Sequence, residues 1–136
     1  MKVCVSSTDK NLDADIDPRF GRCRFFLIID TVTMNFDTIS NEGNNATGGA
    51  GIQAAQTVSR TGVKVVITGN IGPNAFQTLQ ASGIKVITGA KGYIKDILGK
   101  YNRGELKETS VPNVGSHFGM GNIRGWKYEN MYSNEW

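Results

Sequence analysis

Short apolar runs alternate with helix-like stretches along the second half of this chain. The runs KVVIT at 64–68 and IKVIT at 84–88 have the composition of strands buried in a parallel sheet. In the stretches around them, apolar residues recur three or four positions apart, which is the spacing of a helix face. These predicted helices occupy residues 52–61, 73–82 and 93–102. Each ends at a glycine, namely Gly62, Gly83 and Gly104.

Three strands are predicted before the first helix. Residues 2–6 (KVCVS) alternate, and residues 25–30 (FFLIID) form a continuous apolar run. Residues 34–40 (MNFDTIS) alternate again, with Met34, Phe36 and Thr38 on one face. Because short links join these strands, they form an antiparallel meander, whereas helical crossovers make the last two strands parallel to a neighbour. The pattern β-β-β-α-β-α-β-α predicts an α/β fold with a mixed five-stranded sheet of order 3-2-1-4-5. This is the ribonuclease-H-like arrangement.

That topology brings four loops to one edge of the sheet, where strands one, three, four and five end. Open α/β sheets bind ligands at this carboxyl edge. The loops are residues 7–24, 41–51, 69–73 and 89–92. Several are glycine-rich and open a helix, so their backbone N–H groups form sites for an anion. The candidate binding residues are Arg19, Gly21, Arg22, Cys23, Gly48, Gly49, Gly51, Gly69, Asn70, Gly72, Gly89 and Gly92. The alternative is that the glycines only form tight turns.

Two side chains are candidate ligands for a soft metal. Cys23 stands between Arg22 and Arg24, whose charges favour a thiolate. His117 is the only histidine and has a thioether neighbour in Met120. A lone histidine is more often solvated, and Cys4, in the middle of a strand, is expected to be a core residue.

Several enzyme and metal sites are excluded by the residues that they would need. The run Asp13-x-Asp15-x-Asp17 begins like a calcium loop but lacks the required glycine and glutamate. The segment Gly49-x-Gly51-x-x-Ala54 resembles a dinucleotide fingerprint, but no acidic residue ends the following strand. A two-metal nuclease needs converging carboxylates, and the predicted strands one and four carry none.

Composition predicts a single cytoplasmic domain with a tail. The chain has 136 residues, two cysteines and a net charge of +3, and no apolar run approaches the roughly 18 residues of a membrane span. Because the first residues already have the pattern of a strand, we expect no leader. Residues 43–104 contain seven basic residues and one acidic residue, which favours an anionic partner. Residues 1–107 are the predicted domain, and residues 108–136, with an aromatic end, are a predicted flexible tail.

Four segments together resemble the dinitrogenase iron–molybdenum cofactor-binding family, over roughly residues 1–107. They are the opening KVCVSS, RFGRCRFF at 19–26, GGAGIQAA at 48–55 and GPNAF at 72–76. That family includes nitrogenase cofactor carriers and the C-terminal part of the cofactor biosynthesis protein. The resemblance implies a ribonuclease-H-like domain that holds an anionic metal–sulfur cluster non-covalently, without catalysis, in cluster assembly or storage. It implies cluster donor or acceptor proteins as partners, no nucleic acid or membrane, and a monomer or weak dimer.

Two other functions stay open at the level of the sequence. The same loops suit an enzyme or binding protein for a phosphorylated or nucleotide ligand, with Asp9 and Asp17 as the only candidate bases. A scaffold protein acting through the aromatic residues of the tail is the other alternative.

Overall fold

The computed structural model describes residues 1–43 and 49–112 and contains one five-stranded sheet with three helices. The elements, in chain order, are β1 (Lys2–Ser7), β2 (Phe25–Asp30), β3 (Phe36–Ser40), α1 (Ala50–Ser59), β4 (Val65–Ile67), α2 (Pro73–Ala81), β5 (Lys85–Ile87) and α3 (Ile94–Asn102). The strand order is β3-β2-β1-β4-β5. β1 pairs antiparallel with β2 and parallel with β4, as predicted. The expected fold class and element order are confirmed.

β2 is buried on both faces of the sheet, which explains its continuous apolar run. Phe26 and Ile28 belong to a core cluster with residues of α1 and α2. Leu27 and Ile29 point to the opposite face, where the cluster includes residues of α3. Because successive side chains of a strand alternate between faces, a strand between two helical layers needs apolar residues at every position.

The outermost strand, β3, differs from the prediction. Met34 precedes the strand and has a φ of +64°, although its side chain packs on the α3-side core. Phe36 is 36% exposed and Thr38 is exposed, whereas Ile39 on the other face packs against the core. β3 therefore begins two residues later than predicted, and the face that carries Phe36 and Thr38 is exposed. An edge strand has one neighbour only, so its side chains lie at the border of the core.

The predicted convergence of loops at the carboxyl edge is confirmed by short bridges between them. In the loop between β1 and β2, Ile16 donates its N–H to Gly92 O at 2.9 Å. In the same loop Phe20 donates to Asn70 O at 3.2 Å, and Asn70 donates to Pro18 O at 2.7 Å. This long loop therefore crosses the edge and contacts the segments that follow β4 and β5.

After α3 the chain returns along β5. Thr109 donates its N–H to Val86 O at 2.7 Å, and its hydroxyl accepts from Thr88 N at 2.9 Å. The start of the predicted tail thus contacts the edge strand, while the division at residue 107 stays a prediction. The described part of the chain has no helix long and apolar enough to cross a membrane.

Candidate anion-binding edge

The guanidinium of Arg19 is held by the carboxylate of Asp17. Nε of Arg19 lies 3.2 Å from Oδ1, Nη2 lies 3.2 Å from Oδ2, and the backbone N–H of Arg19 donates to Oδ1 at 2.9 Å. The side chain of Asp17 is 4% exposed, whereas that of Arg19 is 63% exposed. The hydrogen bond to this carboxylate raises the pKa of Arg19 above its ordinary value. The exposed side chain of Arg19 is therefore held in place by a buried carboxylate.

Asp17 is itself anchored at the ends of β1 and β4. Its N–H donates to Ser6 O at 2.9 Å, and the Ser6 hydroxyl donates to Asp17 O at 2.7 Å. The same hydroxyl lies 2.7 Å from Oγ1 of Thr68, directly after β4. The sequence offered Asp17 as a candidate base, but its carboxylate is occupied by Arg19.

A second buried residue, Asn41, supports the loop that carries the arginines. Its Nδ2 donates to Gly21 O at 3.1 Å and to Cys23 O at 2.9 Å, and its backbone N–H donates to Arg24 O at 2.9 Å. Sequence reasoning missed this residue. Its position directly after β3, at the same edge, was the available signal.

The predicted thiolate of Cys23 is wrong. The side chain is fully buried, and burial raises the pKa of Cys23 to about 12 from an ordinary value of 9.0. Sγ lies 3.4 Å from Phe20 O, to which it donates. Arg22 and Arg24, its neighbours in the chain, are exposed. Cys4 is also buried, as predicted, and burial raises its pKa as well.

Two of the candidate glycines have a packing role. A Cβ on Gly21 would lie 2.9 Å from N and Cα of Gly51 in the first turn of α1. A Cβ on Gly69 would lie 2.6 Å from Cα of Pro18. Only a residue without a side chain fits at either place, so these glycines let the arginine-bearing loop lie directly on α1 and on the end of β4.

The first turns of α1 and α2 have the features of an anion site. Gly49 and Gly72 precede these helices, and among the described residues no side chain caps either one. Neither first turn contains an acidic residue. The partial positive charge of these helix ends is therefore not offset by a neighbouring carboxylate of the turn.

The start of α3 is different, and the expectation that it presents free N–H groups is wrong. The N–H of Ile94 donates to Ala14 O at 3.0 Å, and that of Lys95 donates to Leu12 O at 3.1 Å. Asp96 adds a negative charge to the first turn. Gly89 donates its own N–H to Gly69 O at 2.8 Å, and the carbonyl of Gly92 accepts from the β1–β2 loop. The long loop thus caps this helix.

Other predicted residues lie near the same edge or outside the described residues. Arg22 donates its N–H to Arg19 O at 3.3 Å, and Asn70 is bridged to the arginine-bearing loop. Gly48 and His117 are outside the described residues. Within the described residues, no three His, Cys, Asp or Glu side chains come together as a metal site.

Comparison with known proteins gives a consistent assignment. The family model described as dinitrogenase iron–molybdenum cofactor matches residues 1–104. The orange protein of Desulfovibrio gigas, solved in its apo form, is 36% identical with a TM-score of 0.80, over 82% of this chain and 95% of that one. None of the curated proteins compared with this chain matches it.

Two further solved structures share the fold. A Thermotoga protein described as a candidate NifB protein is 32% identical with a TM-score of 0.70, over 82% of this chain and 97% of that one. A candidate dinitrogenase from Methanocaldococcus jannaschii is 20% identical with a TM-score of 0.60, over 82% and 97%. The family model covers most of the chain and two relatives exceed 30% identity, which associates the chain in general terms with this cofactor. The chain belongs to the dinitrogenase iron–molybdenum cofactor family.

Proposed function

We propose that this protein is a non-catalytic carrier that binds an anionic metal–sulfur cluster at the carboxyl edge of its sheet. The observation that carries the proposal is the position of the Arg19 loop between the starts of α1 and α2, neither of which is capped by a side chain of the described residues. Gly21 lies against Gly51 in the first turn of α1, and Arg19 is bridged to Asn70, two residues before Gly72, which precedes α2. The Arg19 guanidinium and the N-termini of α1 and α2 therefore lie at the same edge of the sheet.

The donor set fits a large anion held by hydrogen bonds. One helix end contributes about 0.3–1 kcal/mol and a charge-assisted hydrogen bond about 1.5–3 kcal/mol. No one of these donors holds a ligand tightly, so the ligand must present several acceptor atoms at once. The sulfides on the surface of a metal–sulfur cluster do so. A covalent bond from Cys23 does not fit, because its side chain is fully buried in the core of the described residues.

The comparisons support this choice of ligand over other anions. The matching family is described by the iron–molybdenum cofactor of dinitrogenase. The Desulfovibrio orange protein was solved in an apo form, the term for a binding protein without its bound group. The proposed partners are the cluster and the proteins that supply and receive it.

Anaerobic reconstitution tests the proposal. The protein is incubated with tetrathiomolybdate, or with iron–molybdenum cofactor extracted from nitrogenase, and passed through a desalting column. We expect visible absorption to stay with the wild type and to be lost, or weakened at least about tenfold, in Arg19→Ala/Arg22→Ala. A tenfold loss corresponds to about 1.4 kcal/mol, less than one charge-assisted hydrogen bond.

The matched control is Arg60→Ala/Arg103→Ala. Both double variants change the formal charge from +3 to +1, but Arg60 follows α1 and Arg103 follows α3, at the other ends of these helices. Equal losses in the two variants would mean that net charge alone attracts the ligand. Absence of retained colour in the wild type, together with thermal stabilisation by nucleotides, would contradict the proposal and favour a nucleotide ligand.

A further inference from the structure

We propose that Asp17 is a positioning residue for the ligand: it orients the Arg19 guanidinium so that one edge of the group faces the bound anion. The inference rests on the proposed function and concerns how the same site achieves affinity. It starts from the unequal exposure of the pair, because 63% of the Arg19 side chain is exposed and only 4% of the Asp17 side chain is.

The contacts fix which hydrogens of Arg19 remain for a ligand. A guanidinium has five N–H donors in one plane. The carboxylate of Asp17 accepts one from Nε and one from Nη2, each at 3.2 Å. Three N–H donors are left, and they lie on the side of the group away from Asp17. Because both contacts are made in one plane, the pair sets the direction of these three donors as well as their position.

Neither end of the pair is free to move. Ser6 accepts from the N–H of Asp17, donates its hydroxyl to the main-chain oxygen of Asp17 and also contacts Thr68, which ties the main chain of Asp17 to the ends of β1 and β4. The main chain on either side of Arg19 is bridged to Asn70, between β4 and α2. A free arginine side chain loses about 0.5–1.5 kcal/mol of rotamer freedom when it is immobilised by a ligand. Here the paired contact with Asp17 already restricts that freedom before a ligand binds.

The sign of one measurement separates positioning from simple electrostatics. The Asp17–Arg19 pair has no net charge. If Asp17 merely competed with the ligand for Arg19, Asp17→Asn would make the site more positive and tighten anion binding. If Asp17 positions Arg19, the same substitution weakens binding although the site becomes more positive.

The experiment is an anaerobic titration with tetrathiomolybdate, followed by visible absorption and visible circular dichroism. We expect Asp17→Asn to raise Kd about three- to tenfold, the cost of ordering one free side chain. We also expect the visible circular dichroism of the bound ion to be weaker in Asp17→Asn than in wild type, because the ion is held less rigidly. In an Arg19→Ala background, Asp17→Asn should change Kd less than about twofold, since it acts through Arg19.

Glu105→Gln is the matched control. Glu105 accepts from Nε of Arg103 at 2.7 Å, so this pair has the same spacing of two residues and loses the same charge. It lies after α3, away from the edge, and its substitution should leave Kd unchanged. Thermal unfolding of each ligand-free variant measures any loss of folding.

A second variant decides the matter should Asp17→Asn fail to fold. Arg19→Lys keeps the charge and the backbone contact to Asp17, but an ammonium cannot make the paired contact. We expect a similar rise in Kd. Binding by Asp17→Asn as tight as wild type, or tighter, overturns the positioning role and leaves the carrier function intact. Absence of binding by the wild type overturns both.

Discussion

Gly21 and Gly51 are in direct contact across the carboxyl edge, and a Cβ on Gly21 would lie 2.9 Å from two backbone atoms of Gly51. This contact places the arginine-bearing loop on the first turn of α1. The backbone of a helix cannot move aside as a flexible side chain can. The loop can therefore lie this close to the helix only because residue 21 has no side chain.

Gly21→Ala should therefore both destabilise the protein and displace the loop. Forcing a methyl group into a packed contact costs about 1–3 kcal/mol, and we expect that loss in the free energy of unfolding measured with urea. We expect cluster binding to weaken as well. The control is Gly99→Ala in α3, where the new Cβ meets only the end of the Arg103 side chain, at 3.3 Å. That change should stabilise by up to about 1 kcal/mol because alanine favours helix. If Gly21→Ala were as stable as Gly99→Ala, the packing role of Gly21 would be contradicted.

Asn41→Asp should destabilise the loop by turning a donor into an acceptor. The Nδ2 group faces two carbonyl oxygens at 3.1 and 2.9 Å, and the residue is 4% exposed. A carboxylate of the same shape would repel them, and we expect a loss of about 1–3 kcal/mol or more at pH 7.

The same substitution has a defined pH dependence. Burial against carbonyl oxygens raises the pKa of the new Asp above its value in the unfolded chain. The difference in free energy of unfolding between Asn41→Asp and wild type should therefore become smaller toward pH 4, as the group is protonated. Asn74→Asp, at an exposed place in the first turn of α2, is the control and should be neutral or stabilising. If the difference in free energy of unfolding between Asn41→Asp and wild type did not change with pH, the new carboxylate would not be buried.

Cys23 should make the protein less stable in alkali. Its pKa is about 12 in the fold against 9.0 as the ordinary value, so the unfolded chain loses this proton first. The stabilisation is complete below pH 9 and is lost as the pH rises toward 12. One proton corresponds to a slope of about 1.4 kcal/mol per pH unit. We measure the free energy of unfolding with urea between pH 9 and 10.5. In Cys23→Ala this free energy should fall less steeply with pH than in wild type, by up to this amount. In Ser110→Ala, an exposed control, the slope should be that of wild type, and a wild-type slope in Cys23→Ala would contradict the burial of the thiol.

Thr109→Val tests where the folded domain ends. Valine keeps the shape of the side chain but removes its hydroxyl, which bonds to Thr88 N at 2.9 Å and lies 2.8 Å from Thr88 Oγ1. Losing these bonds should lower the free energy of unfolding by about 1–3 kcal/mol. The exposed Ser110→Ala serves as control here too. An unchanged stability would support a domain that ends at residue 107.

The elements of the fold could be predicted because their signals are local. Alternating patterns and continuous apolar runs identified the five strands of the described residues, and a spacing of three or four identified the three helices, with ends within two residues. Gly83 and Gly104 were expected after α2 and α3 and have φ values of +76° and +73°. Connection lengths then gave the strand order, because short links join neighbours antiparallel and helical crossovers join them parallel.

The direction of side chains in the long loop could not be predicted in this way. Arg22 and Arg24 adjoin Cys23 in the chain, yet its thiol is buried in the core and is not activated. Asp17 was a candidate base by its position in the sequence, but its carboxylate is buried and paired with Arg19. The carbonyls of Leu12 and Ala14 occupy the start of α3, a contact between segments far apart in sequence.

By itself the sequence determined the layers, the strand order, the edge at which the loops meet and the family, since all of these follow from periodicity, link length and local motifs. Only the tertiary structure decided which of the predicted groups at that edge are occupied: the thiol of Cys23 is buried, and the N–H groups at the start of α3 donate to the loop between β1 and β2. The physical reason is that a hydrogen-bonding group is free or occupied according to what packs against it. In an irregular loop that partner is set by long-range contacts, which no repeating pattern along the chain encodes.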